Sequence, residues 1–309
     1  MNFIGKLSFL SILLLVITTQ VYSKAIKHCY VVVKGSKNIK AIEDGKYQIT
    51  LGNISMIIDA EHGAKILSYK LGDDEVLNQG DAPNSFGSTF WTSPQKEWDW
   101  PPVEEYDTKP FTAKIKGNKL ILTGQKSPLG YRIQKEFTID KKKKAINITY
   151  TIINESAETR KVAPWEITRV PNDEGVLFFE ANKVEEANNM SLLPFTFKHG
   201  GAWYTMDESD EFRKINADGR GWLGYCNRGL LFVKKFQDLK PGQAAPAEAE
   251  IQAYGNMGKT FVEVEEQGAY TTLKPGASVS WTVRWFLTRT NLKAVPSAAL
   301  FKQAKKIAK

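Results

Sequence analysis

Apolar and polar residues alternate along most of this chain, and the period is two. Tyr131, Ile133, Phe137 and Ile139 share one face of 131–139, with Arg132, Gln134, Glu136 and Thr138 opposite. Ile146, Ile148, Tyr150 and Ile152 repeat the pattern, as do Val279, Trp281, Val283, Trp285 and Leu287. Successive side chains of a strand point to opposite faces, so these runs predict half-buried strands. Shorter strands are predicted over 47–51, 54–58, 64–71, 111–115, 119–123, 162–169, 176–180, 229–236, 249–254 and 260–265. Turn signals separate them, among them Gly117-Asn118, Asn172-Asp173-Glu174-Gly175, Asn227-Arg228-Gly229 and Pro275-Gly276. Lys141 to Lys144 read as a hairpin turn, and only 297–309 has helical composition. Strands without interleaved helices predict an all-β chain, a large antiparallel sandwich with a short C-terminal helix. No internal repeat or linker composition divides 24–309, which is read as a single domain.

The first 23 residues differ from the rest. Met1 to Lys6 is a short basic lead, Leu7 to Ile17 is apolar apart from two serines, and Val21-Tyr22-Ser23 offers a small residue at the cleavage point. That is the pattern of a secretory signal peptide, too short for a stable membrane anchor. The expectation is a secreted protein, periplasmic if the cell is Gram-negative. Cys29 and Cys226 are the two cysteines, and the sequence leaves open whether they pair. The formal charge of +8 is spread over turns and the C-terminal tail without a nucleic-acid motif, so no nucleic-acid partner is expected. No metal-ligand spacing, phosphate loop or cofactor motif is present, and the expectation is no metal and no cofactor.

Three of the eight tryptophans, Trp91, Trp98 and Trp100, lie within Gly87–Pro102, together with Gln95, Glu97, Asp99 and three prolines. The prolines predict an ordered loop over the whole stretch. Indoles on a loop either fill a gap in a large core or offer apolar faces on which sugar rings stack while Gln and Glu take the hydroxyls. Both readings stand at this level.

Several segments together resemble one superfamily. His62-Gly63-Ala64-Lys65-Ile66-Leu67-Ser68 is similar to an early strand of the aldose mutarotases. Trp91-Thr92-Ser93-Pro94-Gln95 resembles the segment before their sugar cleft, and Leu273-Lys274-Pro275-Gly276 their closing turn. Phe90 to Gln95, Ala163-Pro164-Trp165-Glu166-Ile167-Thr168-Arg169 and Glu265-Glu266-Gln267-Gly268 resemble an exported bacterial family of unknown function with the galactose-mutarotase-like β-super-sandwich. The resemblance implies that fold, a concave sugar cleft and a saccharide or glycan as ligand. It also places Glu265 in the segment that carries the mutarotase base. The chain departs from the enzyme pattern in its histidines. His28, His62 and His199 are the only three, and none matches the family's proton donors.

Strand periodicity adds candidates. Phe261, Glu263 and Glu265 share one face of 260–265, with Val262 and Val264 on the other. Trp165, Ile167 and Arg169 share a face of 162–169, with Glu166 opposite. The residues expected to touch a saccharide are therefore Trp91, Gln95, Glu97, Trp98, Trp100, Trp165, Glu166, Arg169 and Glu263. Two functions follow: an exported carbohydrate-binding protein without mutarotase chemistry, or a sugar-active epimerase with Glu265 as base. A protein-interaction domain on the same scaffold is a third class.

Overall fold

The computed structural model describes residues 37–80, 86–209, 211–255 and 261–309. The expected signal peptide and Cys29 lie outside them. Within them the chain forms two antiparallel sheets, one of twelve strands and one of ten. The middle of the larger sheet runs Lys65–Leu71, Ser88–Ser93, Arg160–Pro171, Phe261–Gln267, Ile251–Gly255 and Arg213–Ala217. The middle of the smaller runs Trp222–Asn227, Leu230–Lys235, Ser278–Arg289, Ala145–Asn154 and Tyr131–Asp140. The three longest predicted strands pair as neighbours: Ile148 stands opposite Phe137 on one side and Val283 on the other.

Alternation drives this packing. In Tyr131–Asp140 the buried side chains Tyr131, Ile133 and Phe137 join Ile148, Ile152 and Trp285 between the sheets, against Phe90, Ile66 and Val264 of the larger sheet. The smaller sheet's other face is covered by the helix Ala298–Ile307 over Phe178, Trp203, Trp222 and the buried Cys226. Ser297 caps that helix, its side chain accepting from the backbone N–H of Leu300 at 3.3 Å. Lys141–Lys144 form the turn between two paired strands.

One expectation needs correction. The stretch Gly87–Pro102 is not a loop throughout, because Ser88–Ser93 is a fully buried strand between Lys65–Leu71 and Arg160–Pro171. Its β-forming Thr89, Phe90, Trp91 and Thr92 precede the first proline, and burial on both faces removes the alternation that marks a half-buried strand. Before the C-terminal helix, helix among the described residues is limited to two short turns, Gln95–Glu97 and Glu104–Asp107, as an all-β chain implies. Trp222–Asn227 and Gly201–Thr205 escaped the pattern for the same reason as Ser88–Ser93: almost every residue is buried.

Between the sheets lies a charged cluster. Lys234 of the smaller sheet reaches Glu166 at 2.7 Å and Glu266 at 2.5 Å, and all three side chains are 0 % exposed. Lys234 also donates to Thr168, and Glu166 accepts from Tyr150 and Trp285. Burial alone would raise Glu166, but Lys234 and the hydrogen bonds of Glu266 and Tyr150 hold it below the ordinary carboxylate value. Burial dominates at Glu266 and, with the charge of Glu166, keeps it well above that value.

Candidate functional site

Because Glu166 and Glu266 turn toward the smaller sheet, their neighbours turn the other way. Direct pairing arranges the outward side chains of the larger sheet in rows that cross the strands. The first is Trp91, Trp165 and Gln267. The second is Thr89, Ile167, Glu265, Gln252, Asn216 and Glu185. The third is Arg169, Glu263, Tyr254 and Lys214.

Glu265 is at the centre of these rows and wholly buried. Its Oε2 accepts from Trp165 Nε1 at 2.8 Å and from Lys214 Nζ at 3.3 Å. Lys214 also lies over the Trp165 ring, 5.0 Å from its centroid. Burial, opposed by Lys214 and reinforced by the charges of Glu263 and Glu248, lifts Glu265 to about 7. The other oxygen, Oε1, is buried without a hydrogen-bond partner.

That orphan has company on the same face. Gln267 Oε1, Ser93 Oγ and Arg169 Nε are also buried without partners. Each such group costs about 1–3 kcal/mol when nothing satisfies it, and native interiors hold few. Around them the remaining polar atoms are tied down. Glu248 Oε2 accepts from Gln252 and Gln267 at 2.7 and 3.1 Å, Gln252 donates to Asn216, and Arg169 pairs with Glu263 at 2.9 Å. Asp107 receives Lys65, Thr89 and the Trp91 indole N–H, which fixes the Trp91 ring. Burial would raise the Asp107 carboxyl, but Lys65 and those two donors keep it below the ordinary value.

The indoles cluster at one end. Trp91 meets Trp98 and Trp165 edge-on, each at 5.5 Å between centroids, and Trp100 at 6.2 Å. Trp91 and Trp165 are buried, Trp98 is half-buried with its N–H on the carbonyl of Thr92, and Trp100 is 64 % exposed. The cluster thus grades from core to solvent.

Of the residues expected from sequence, Trp91, Trp98, Trp100, Trp165, Arg169, Glu263 and Glu265 share this face. Gln95 borders it, its backbone N–H donating to Glu248 Oε1. Glu166 does not belong there: it faces the opposite side of its strand and holds Lys234. Glu97 also turns away, accepting from Tyr131 and lying 3.5 Å from Arg160. His62 lies in a turn with its side chain on Asp59, and His199 lies exposed in a hairpin turn of the smaller sheet. Sequence reasoning missed Lys214, Gln252, Asn216 and Glu248. Gln252 was within reach, since it alternates with Ile251 and Ala253 of a predicted strand. Lys214 and Asn216 lie on a strand that was not predicted.

No family model matches the chain, and no curated protein matches it either. Solved structures do. A provisionally assigned aldose 1-epimerase of Escherichia coli K12 superposes with a TM-score of 0.59 over 79% of this chain and 99% of its own, at 12% identity. A galactose mutarotase-like protein of Lactobacillus casei gives 0.56 over 79% and 100%, at 14% identity. Another, from Clostridium acetobutylicum, gives 0.55 over 82% and 98%, at 11% identity. The fold is galactose mutarotase-like. At such identities the likeness establishes the scaffold, and function rests on the residues the scaffold carries.

Proposed function

We propose that the protein binds a saccharide on the outward face of its larger sheet, around Glu265. The observation that carries this reading is that four buried polar atoms without a partner lie on this face beside the indoles. Glu265 Oε1, Gln267 Oε1, Ser93 Oγ and Arg169 Nε offer acceptors and donors together, beside four indoles. A sugar matches both features, because its hydroxyls donate and accept while its C–H faces pack on aromatic rings. Trp98 and Trp100 form the rim that the ligand passes. Titration calorimetry of the full chain against neutral monosaccharides tests the reading. Binding weakened by Glu265→Gln and Trp100→Ala supports it; binding indifferent to both, or none at all, refutes it.

A second reading, an aldose epimerase, draws on the contact between Glu265 and Lys214. A carboxyl held near 7 is suited to take a proton from an anomeric hydroxyl at neutral pH. As the bond from the anomeric carbon to the ring oxygen breaks, that oxygen needs a proton, and the Lys214 ammonium is a donor the histidine-poor sequence did not reveal. Polarimetry of freshly dissolved aldoses separates the readings: acceleration lost in both Glu265→Gln and Lys214→Met marks an enzyme. Residues 1–23 further lead us to propose export, which N-terminal sequencing of the protein from its native cell would check.

A further inference from the structure

We infer that the site takes a neutral glycan of more than one sugar unit, with a second unit held in a cavity at the edge of the same sheet face. The inference rests on the saccharide reading and extends it. A cavity of about 360 Å³ lies among Asn216, Asp218, Lys240, Ala244, Glu248 and Glu250. That is within the roughly 300–1,000 Å³ range of small-molecule pockets.

Two connections join it to Glu265. The row Glu265, Gln252, Asn216 and Glu185 leads straight into it, and both Asn216 and Glu185 line it. Glu248 is shared: it lines the cavity and receives both Gln252 and Gln267, the amides beside Glu265. From Glu265 to Asn216 is two strand spacings, about 10 Å. One pyranose ring on Glu265 does not span that distance, whereas a glycosidically linked second ring does.

The charges decide the class of sugar. Three carboxylates, Glu185, Asp218 and Glu248, line the cavity against two lysines, Lys183 and Lys240, together with Glu250, whose oxygens accept from the backbone N–H groups of Gly221 and Leu239. Lys183 is 2.5 Å from Glu185. Around Glu265 the cations are paired as well: Lys214 with Glu265, Lys65 with Asp107 and Arg169 with Glu263. A sugar phosphate, sulfate or uronate would bring a charge these arrangements repel or leave unmatched. Neutral hydroxyls, donating to the carboxylates, fit. A bare cation is a poorer occupant, because among the described residues no three His, Cys, Asp or Glu side chains converge as a metal site requires.

The test is calorimetry of the full chain with lactose, maltose and cellobiose beside galactose, glucose, glucose 6-phosphate and galacturonate. At least one disaccharide should bind tenfold or more tightly than its component monosaccharides, and the anionic sugars should bind more weakly than the neutral ones. Ala244→Trp, which fills the cavity, should abolish the disaccharide gain and leave monosaccharide affinity unchanged. Asp218→Ala, on the exposed rim, should reduce that gain in a protein with unaltered thermal unfolding. Monosaccharide binding without a disaccharide gain, a gain insensitive to both variants, or preference for an anionic sugar overturns the inference while sparing the saccharide reading. Failure of every sugar to bind the folded protein overturns both.

Discussion

Replacing Lys234 with methionine should be among the most damaging single changes in this protein. Methionine preserves most of the side chain's volume but removes the ammonium that lies 2.7 Å from Glu166 and 2.5 Å from Glu266, where no water reaches. Removing one partner of a buried ion pair costs about 3–5 kcal/mol, because the remaining charge is left uncompensated. The hydrogen bond to Thr168 is lost as well. With a urea dependence of about 3 kcal/mol per molar, such a loss moves the unfolding midpoint down by about 1–1.7 M. The pH dependence identifies the cause. In the wild type Glu166 lies below its ordinary 4.5, so its contribution is present above that value and fades as pH falls through the folded value. Without Lys234, burial prevails and the folded value rises above 4.5. The variant's penalty should then be greatest near pH 7–8 and shrink toward pH 4. Adding Glu166→Gln and Glu266→Gln to Lys234→Met should restore most of the stability, since an amide at position 166 can accept from the Trp285 N–H through its oxygen and donate its own N–H to the Tyr150 hydroxyl. A loss below about 1 kcal/mol at pH 7, or one that does not change with pH, would refute the account.

Glu265, raised from 4.5 to about 7 by burial, binds a proton in the folded state that the unfolded chain has released. Wild-type stability should therefore decline by up to about 1.4 kcal/mol per pH unit from this group between pH 4.5 and 7, a slope that Glu265→Gln should remove in urea titrations. Lys135, pushed down to about 7 by burial while donating to the carbonyls of Gly63 and Ala64, acts in the opposite sense. Its folded form releases a proton that the unfolded chain keeps, so its contribution should grow from pH 7 to 10, and Lys135→Met should flatten that part of the profile. Trp100→Ala should change stability by less than about 0.5 kcal/mol, as expected for an exposed side chain, while weakening saccharide binding by about 1 kcal/mol in calorimetry. Ser297→Ala should cost about 1 kcal/mol in thermal or urea unfolding by removing the cap of the C-terminal helix.

What the sequence determined by itself follows from period and punctuation. The alternation in 131–139, 146–152 and 279–287 specified strands and the faces they bury, and Lys141 to Lys144 specified the turn between two of them. Motif order pointed to the mutarotase-like sandwich. Period two also placed Glu263 and Glu265 on the face opposite Val262 and Val264, and separated Trp165 from Glu166. The tertiary structure decided what each of those faces meets. Glu166 and Glu265 are both carboxylates on central strands, yet one meets Lys234 from the other sheet and the other keeps a free oxygen beside Lys214. Nothing local distinguishes them, because each acquires its character from a lysine more than fifty residues away in the chain. Ser88–Ser93 and Arg213–Ala217 were hidden for a related reason. Burial on both faces erases the polar positions that make a strand readable, and only the neighbouring strands show where such a segment belongs.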